Sequence, residues 1–188
     1  GILLGDDIGL EVVPESVKVM KAAAARTGLS IEWQDFAIGK RGHELHGHTF
    51  PQTTIAGLEQ MHGWLLGPIG HSAYPRNDPT WIMPPVRKRF ELFASIKPVK
   101  SYPNIKSLYQ NLDMVFLREV TEGMQSWDNV AAGTGEFMPN DETAVGFRVI
   151  TRTGSNRVAR EAFEIARTPK RKLVTAVHKE PVYRICCR

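Results

Sequence analysis

Several short apolar runs along the chain end in the same way. Ile2-Leu3-Leu4 gives way to Gly5-Asp6-Asp7, and Trp64-Leu65-Leu66 to Gly67-Pro68-Ile69-Gly70. Met114-Val115-Phe116-Leu117 runs into Arg118-Glu119, and Leu173-Val174-Thr175-Ala176-Val177 into His178-Lys179. Continuous runs of this length predict strands buried on both faces. Helical spacing lies between them. Leu10–Arg26 carries Val12, Val13, Val17, Val19 and Met20 before an alanine run, with Gly28 as the expected stop. Thr53–Met61 predicts a shorter helix. Ser155–Arg167 spaces Val158, Ala159, Ala162, Phe163 and Ala166 helically, with Ser155 as candidate N-cap and Pro169 just beyond the end. Val86–Leu92 reads as the end of a further helix. Phe93–Val99 reads as a strand stopped by Pro98 and Pro103.

Strands alternating with helices predict a mostly parallel α/β sheet, whose ligands collect at the carboxyl ends of the strands. That is where the glycines and charges of this chain sit. Residues 120–153 differ. Gly, Asn and Pro punctuate them before the β-rich run Val145–Ile150. An extended hairpin arm, of the kind that pairs with another subunit, and a long surface loop both fit. There is no internal repeat and no low-complexity tract.

At 188 residues and 42% hydrophobic content the chain can bury a real core, which excludes a disordered segment. No apolar run approaches the roughly 18 residues of a membrane span. The chain opens inside an expected strand rather than on a secretory signal, so its N-terminus is expected further upstream. The net charge of +4 is unevenly placed. From Arg148 onward eleven basic residues face three acidic ones, which leaves residues 1–147 at −4. The basic residues sit mostly on one expected helix and its flanks, whereas a nucleic-acid binder more often interleaves aromatics with them, which argues against that function. Cys186 and Cys187 are adjacent, with no other cysteine to pair with, which fits a reducing cytoplasm.

The segment "VRKRFELFASIKPVKSYP" (86–103) places Arg87 and Lys97 on two connected elements, and Arg118 ends the next expected strand. Three cations aimed at one point would hold a di- or tricarboxylate. Each alone reads equally well as a solvated surface charge. Lys179 ends the last expected buried strand, where a lysine can serve as an acid–base group or simply mark the strand end. His43, His46 and His48 in "GHELHGHTFP" are expected in a loop, at a spacing that matches no standard zinc site. The turn "GDDIG" opens a helix, yet Asp6 and Asp7 oppose a bound anion there. No G-x-G-x-x-G, nucleophile-elbow or Walker pattern is present, so a Rossmann phosphate site is not expected.

These segments in series resemble the β-decarboxylating dehydrogenases, the family of isopropylmalate, isocitrate, homoisocitrate and tartrate dehydrogenases. "GDDIGLEVVPESVKVM" resembles the family's opening turn and helix, and "LLGPIG" its cofactor-side loop. "VRKRFELFASIKPVKSYP" and "REVTEGM" resemble the segments that carry its substrate-binding arginines. "RVAREAFEIAR" followed by "KLVTAVHK" resembles the helix and strand that deliver its catalytic lysine.

The resemblance implies an α/β, isocitrate/isopropylmalate dehydrogenase-like two-domain fold that is not a Rossmann fold. Residues 1–98 would be the N-terminal part of the cofactor-side domain. Residues 99–188 would be part of a small dimerisation domain with a β arm at about 120–153. It implies NAD or NADP and Mg2+ or Mn2+ as cofactors, a small di- or tricarboxylate substrate, a homodimer and a cytoplasmic location. Arg87, Lys97 and Arg118 would bind substrate carboxylates, and Lys179 would move a proton at the 2-hydroxyl, reaching into the partner subunit's site. Ile8 would lie near the adenine, and Gly70 and Thr80 near the nicotinamide ribose. Met83, with Trp81 and Pro84, would read the substrate's variable group, and their apolar character leans toward an alkyl substituent.

Four positions depart from the family pattern: Lys97 replaces an arginine, Gln125 a tyrosine, Pro181 an asparagine and Asp7 a glycine. Family members run well past Arg188, so the metal ligands are expected in a C-terminal half missing here, and the chain alone is expected to be inactive. A non-catalytic homologue that binds a polycarboxylate for regulation or assembly is the competing reading.

Overall fold

The computed structural model describes residues 1–70, 83–124 and 135–187, with the side chains of 83–85 left aside. The chain divides into two compact units, Gly1–Met83 and Pro84–Arg188.

In the first unit, β1 (Ile2–Leu3) pairs in parallel with β2 (Leu65–Leu66), Ile2 opposite Leu65 and Leu3 opposite Leu66. On its other edge β1 is bridged by residue 35: Gln34 O accepts from Ile2 N at 2.7 Å, and Phe36 N donates to Ile2 O at 2.8 Å. Between β1 and β2 run three helices: α1 (Gly9–Thr27), α2 (Gly39–His46) and α3 (Gln52–Leu58). Ile2, Val13 and Val17 form a buried cluster, with Leu4, Trp33 and Leu65 against it. Helix α1 ends at Gly28, whose φ of 72° is left-handed and whose N–H bonds Ala24 O. Of its apolar positions Val13 and Val17 are buried, whereas Val12, Val19 and Met20 face solvent. Periodicity found the helix but marked two faces as apolar.

The loops that leave β1 and β2 touch backbone to backbone. Gly5 takes φ 72°, Asp6 N donates to Pro68 O at 2.7 Å, and a side chain at Gly67 would run into the Leu4 carbonyl. Only glycine permits that approach.

The second unit opens with α4 (Met83–Arg89). Strand β3 (Ala94–Lys100) then pairs antiparallel with β4 (Asp113–Glu119). A hairpin follows, β5 (Glu136–Asn140) with β6 (Thr143–Gly146), and Phe137 packs against Phe147. Gly123 and Val149 exchange backbone hydrogen bonds of 2.8 and 3.0 Å and close the base of this excursion. Helix α5 (Arg152–Ala166) packs on β4.

Several expectations change. Among the described residues one ladder of three is parallel, because short connections between β3 and β4 and between β5 and β6 allow direct antiparallel return. Pro98 does not stop β3; it sits inside it opposite Val115, tolerated in a two-stranded ladder where one edge needs no donor. Residues 173–177 form no strand: Leu173 and Val177 are exposed, since no described strand pairs with them. His43 and His46 lie on α2 rather than in a loop. The N-cap of α5 is Thr151, not Ser155.

Candidate functional site

Each unit carries its own part of the expected site. In the first, the carboxyl ends of β1 and β2 meet at Asp6, which is 5% exposed. Its Oδ1 accepts from Lys40 N at 2.8 Å and its Oδ2 from Gly70 N at 3.0 Å. Helix α2 has no side-chain cap of its own. Asp6 supplies the negative charge at its first turn from 34 residues away. The aspartate expected to repel an anion is itself the anion at a helix N-terminus. It also fixes the backbone at Gly70. Ile8 takes the N-cap position of α1 with its side chain half exposed, and Asp7 adopts a left-handed φ of 47°. Thr80 and Trp81 lie outside the described residues, as does Gln125. Met83 begins α4, and its side chain and that of Pro84 are likewise outside them.

In the second unit the β3–β4 register pairs Ser95 with Arg118 and Lys97 with Phe116. Directly opposed residues share a face of an antiparallel ladder, and diagonal neighbours lie about 7–8 Å apart. Lys97 and Arg118 are such a diagonal pair, on one face. Along β4, Met114, Phe116 and Arg118 are exposed while Val115, Leu117 and Glu119 are half-buried. The face with the two cations is therefore open, and the other carries α5.

Two arginine–carboxylate contacts hold α5 and its continuation to that covered face. Arg157 Nη2 donates to Glu119 Oε1 at 2.8 Å, with its guanidinium 4.7 Å from the centre of the Phe93 ring. Arg171 bonds both the carbonyl oxygen of Asp113, at 2.6 Å, and its carboxylate. Glu119 also accepts from the N–H groups of Thr121 and Glu122, each at 2.8 Å, and from the Thr121 hydroxyl. Burial alone would push the Glu119 carboxyl up; the bonds from Thr121, Arg157 and Glu122 outweigh it and hold it below the ordinary value. Glu122 reaches across to Thr151, accepting from its N–H at 2.9 Å and from its hydroxyl, beside the first turn of α5. None of these partners stood out in the sequence. Glu119 and Arg157 are 38 residues apart, with no local pattern linking them.

Arg87 is half-buried on α4, next to the buried Val86. Lys179 departs from expectation: it is exposed and opens a turn in which Val182 N and Tyr183 N donate to its carbonyl at 3.0 and 2.9 Å. It ends no buried strand, because that strand is not formed. The structure brings Lys97 and Arg118 together and leaves Arg87 and Lys179 on separate elements. Among the described residues no three His, Cys, Asp or Glu side chains are grouped to hold a metal ion, and no helix is long and apolar enough to cross a membrane.

The chain is 31% identical over 184 residues to 3-isopropylmalate dehydrogenase of Sulfurisphaera tokodaii, covering 98% of this chain and 50% of that protein. It is 33% identical over 181 residues to 3-isopropylmalate dehydrogenase of Methanothermobacter thermautotrophicus, covering 96% and 50%. It spans about half the length of these curated relatives. The crystal structure of isocitrate dehydrogenase from Methylococcus capsulatus superposes with a TM-score of 0.81 at 28% identity, covering 99% of this chain and 52% of that one. The isocitrate dehydrogenase-like fold expected from the sequence is the fold observed. The model of the isocitrate/isopropylmalate dehydrogenase family matches residues 1–186, and the chain belongs to that family.

Proposed function

We propose that the chain is part of an NAD(P)- and divalent-metal-dependent enzyme that oxidatively decarboxylates a 2-hydroxy acid carrying a carboxylate at C3, of the isopropylmalate, isocitrate or tartrate type. The observation that carries this reading is the diagonal pair Lys97 and Arg118 on the open face of β3–β4, in a chain of this family. Two cations on one face suit a ligand with two carboxylates. Arg87 adds a third and Met83 borders the variable group.

The residues present fit part of a nicotinamide cofactor site. Ile8 offers an exposed apolar side chain at the start of α1, and the Gly70 backbone is held in place by Asp6. Thr80 is assigned beside them from the sequence. When bound, the cofactor accepts the hydride from C2 of the substrate. The residues described do not supply a metal-ligand set, so no step is derived through a metal.

The chain's own groups then have defined tasks. Arg87, Lys97 and Arg118 orient the acid and neutralise its carboxylates. Lys179, within a homodimer, takes part in proton transfer at the 2-hydroxyl as the C2–H bond breaks. The product is a ketone with a carboxylate on the neighbouring carbon. Loss of carbon dioxide leaves an enolate, which a proton at C3 converts to the 2-keto acid. The cytoplasm is the compartment this chemistry suits.

Gln125 at the tyrosine position favours a second reading, a homologue that binds a polycarboxylate without turning it over. The test is nicotinamide reduction with isopropylmalate, isocitrate and tartrate, with Mg2+ or Mn2+, alongside calorimetric binding of each acid. Turnover of one acid is expected. Tight binding of one acid without turnover supports the second reading, and binding of none overturns both.

A further inference from the structure

The two faces of the β3–β4 ladder treat their charges differently. On the covered face Arg157 and Arg171 each have a carboxylate partner, Glu119 and Asp113. On the open face Ser95, Lys97 and Val99 of β3 stand opposite Arg118, Phe116 and Met114 of β4, and none of the six is acidic. Among the described residues neither Lys97 nor Arg118 has an ion-pair partner, and the Ser95 hydroxyl makes no hydrogen bond.

Ser95 is the residue closest to both cations. At the two ends of the ladder Val120 N donates to Phe93 O and Ser101 N to Leu112 O, each at 2.9 Å. Counting inward by twos from either bond makes Ser95 and Arg118 a hydrogen-bonded pair, with Cα atoms about 5.5 Å apart. Lys97 lies two residues along β3 from Ser95, about 7 Å at the rise of an extended strand. Lys97 and Arg118 meet only across the diagonal. Ser95 is half-buried, whereas both cations are exposed. A short hydroxyl between two long cationic side chains lies at the floor of any anion they hold. Lys97 stands where the family pattern has an arginine, and an ammonium is a point charge without the planar fork of a guanidinium. A carboxylate on Lys97 therefore has a second oxygen with room for a directed donor.

We propose that Ser95 is a further substrate-binding residue, whose hydroxyl donates to the carboxylate that Lys97 neutralises. Serine and lysine together then supply the two directed contacts of one arginine fork, and Arg118 serves the second carboxylate with its own. This role rests on the reading of the open face as a carboxylate-binding surface.

The test is calorimetric titration of the full chain with isopropylmalate, isocitrate and tartrate. For the acid that binds, Ser95→Val is expected to weaken affinity roughly tenfold, because a hydrogen bond to a charged group is lost. Ser95→Thr, similar in shape to the valine variant but with a hydroxyl, is expected to stay within about twofold of wild type. In a Lys97→Arg background the loss from Ser95→Val is expected to shrink to about twofold, since the guanidinium then makes both contacts. Circular dichroism is expected to be the same for every variant. Equal affinities of Ser95→Val and Ser95→Thr would overturn the inference and leave the carboxylate reading in place. So would an undiminished loss in the Lys97→Arg background, or a shift of the urea midpoint with affinity spared. Binding of none of the three acids by the wild type would overturn both.

Discussion

Around β1 the buried side chains are mostly aliphatic and aromatic, among them Leu3, Leu58, Ile38, Val13 and Phe50, with Thr49, Thr54 and Asp6 buried beside them. Around β4, aliphatic burial among the described residues falls to Val86 and Val120, and the best-connected side chains are Glu119 and Arg157. The first unit is stabilised mainly by apolar surface removed from water, which responds little to pH or salt, with the buried Asp6 carboxylate as its charged element. The second depends on strand ladders and charge-assisted hydrogen bonds, which respond to both. Charge therefore contributes more to stability in the second unit, whose expected substrate cations lie on the opposite face of the same ladder, than in the first.

The sharpest way to break this contrast is Leu58→Ala. A fully buried leucine replaced by alanine costs about 2–5 kcal/mol, and urea unfolding should show that loss unchanged between low and moderate salt. A strongly salt-dependent loss would contradict the assignment.

Glu119→Gln comes next, at about 1–3 kcal/mol, because it removes the charge from a half-buried, multiply bonded carboxylate. Its pH dependence has a definite sign. The folded Glu119 carboxyl titrates below its ordinary value of 4.5, so its contribution is complete above that pH and is lost as the pH falls through the lower, folded value. Acid titration followed by circular dichroism should show the wild type losing stability over that range, and Glu119→Gln should be flatter there.

Thr151→Ala should cost about 1 kcal/mol by removing the cap of α5, with Thr151→Ser recovering most of it. The smallest effect belongs to the exposed Glu164–Arg167 pair. Glu164→Gln should change stability by less than about 0.5 kcal/mol. A larger value would mean that surface charge also holds the second unit together.

The same contrast shows what the sequence could disclose. Helix α1 was legible because its start, apolar spacing and glycine stop are all local. The β3–β4 cations were legible as a group, although their shared face depends on register. What stayed hidden was set from a distance. Thr151, Thr153, Ser155 and Asn156 are all capping residues, and Glu122, 29 residues upstream, marks Thr151 as the one in use. Helix α2 has little apolar periodicity and is capped by Asp6 from another part of the chain. The run 173–177 has the composition of a strand, but a strand exists only with a partner.

The two arginines that grip β4 have a mechanical consequence. Arg157 holds one end of the strand at Glu119 and Arg171 the other at Asp113, both on the face away from Arg118. The helix is fastened at the Glu119 end of the strand and the segment that follows it at the Asp113 end. The ladder register that sets Lys97 and Arg118 on one face is thus backed from behind rather than from the side where a ligand would sit.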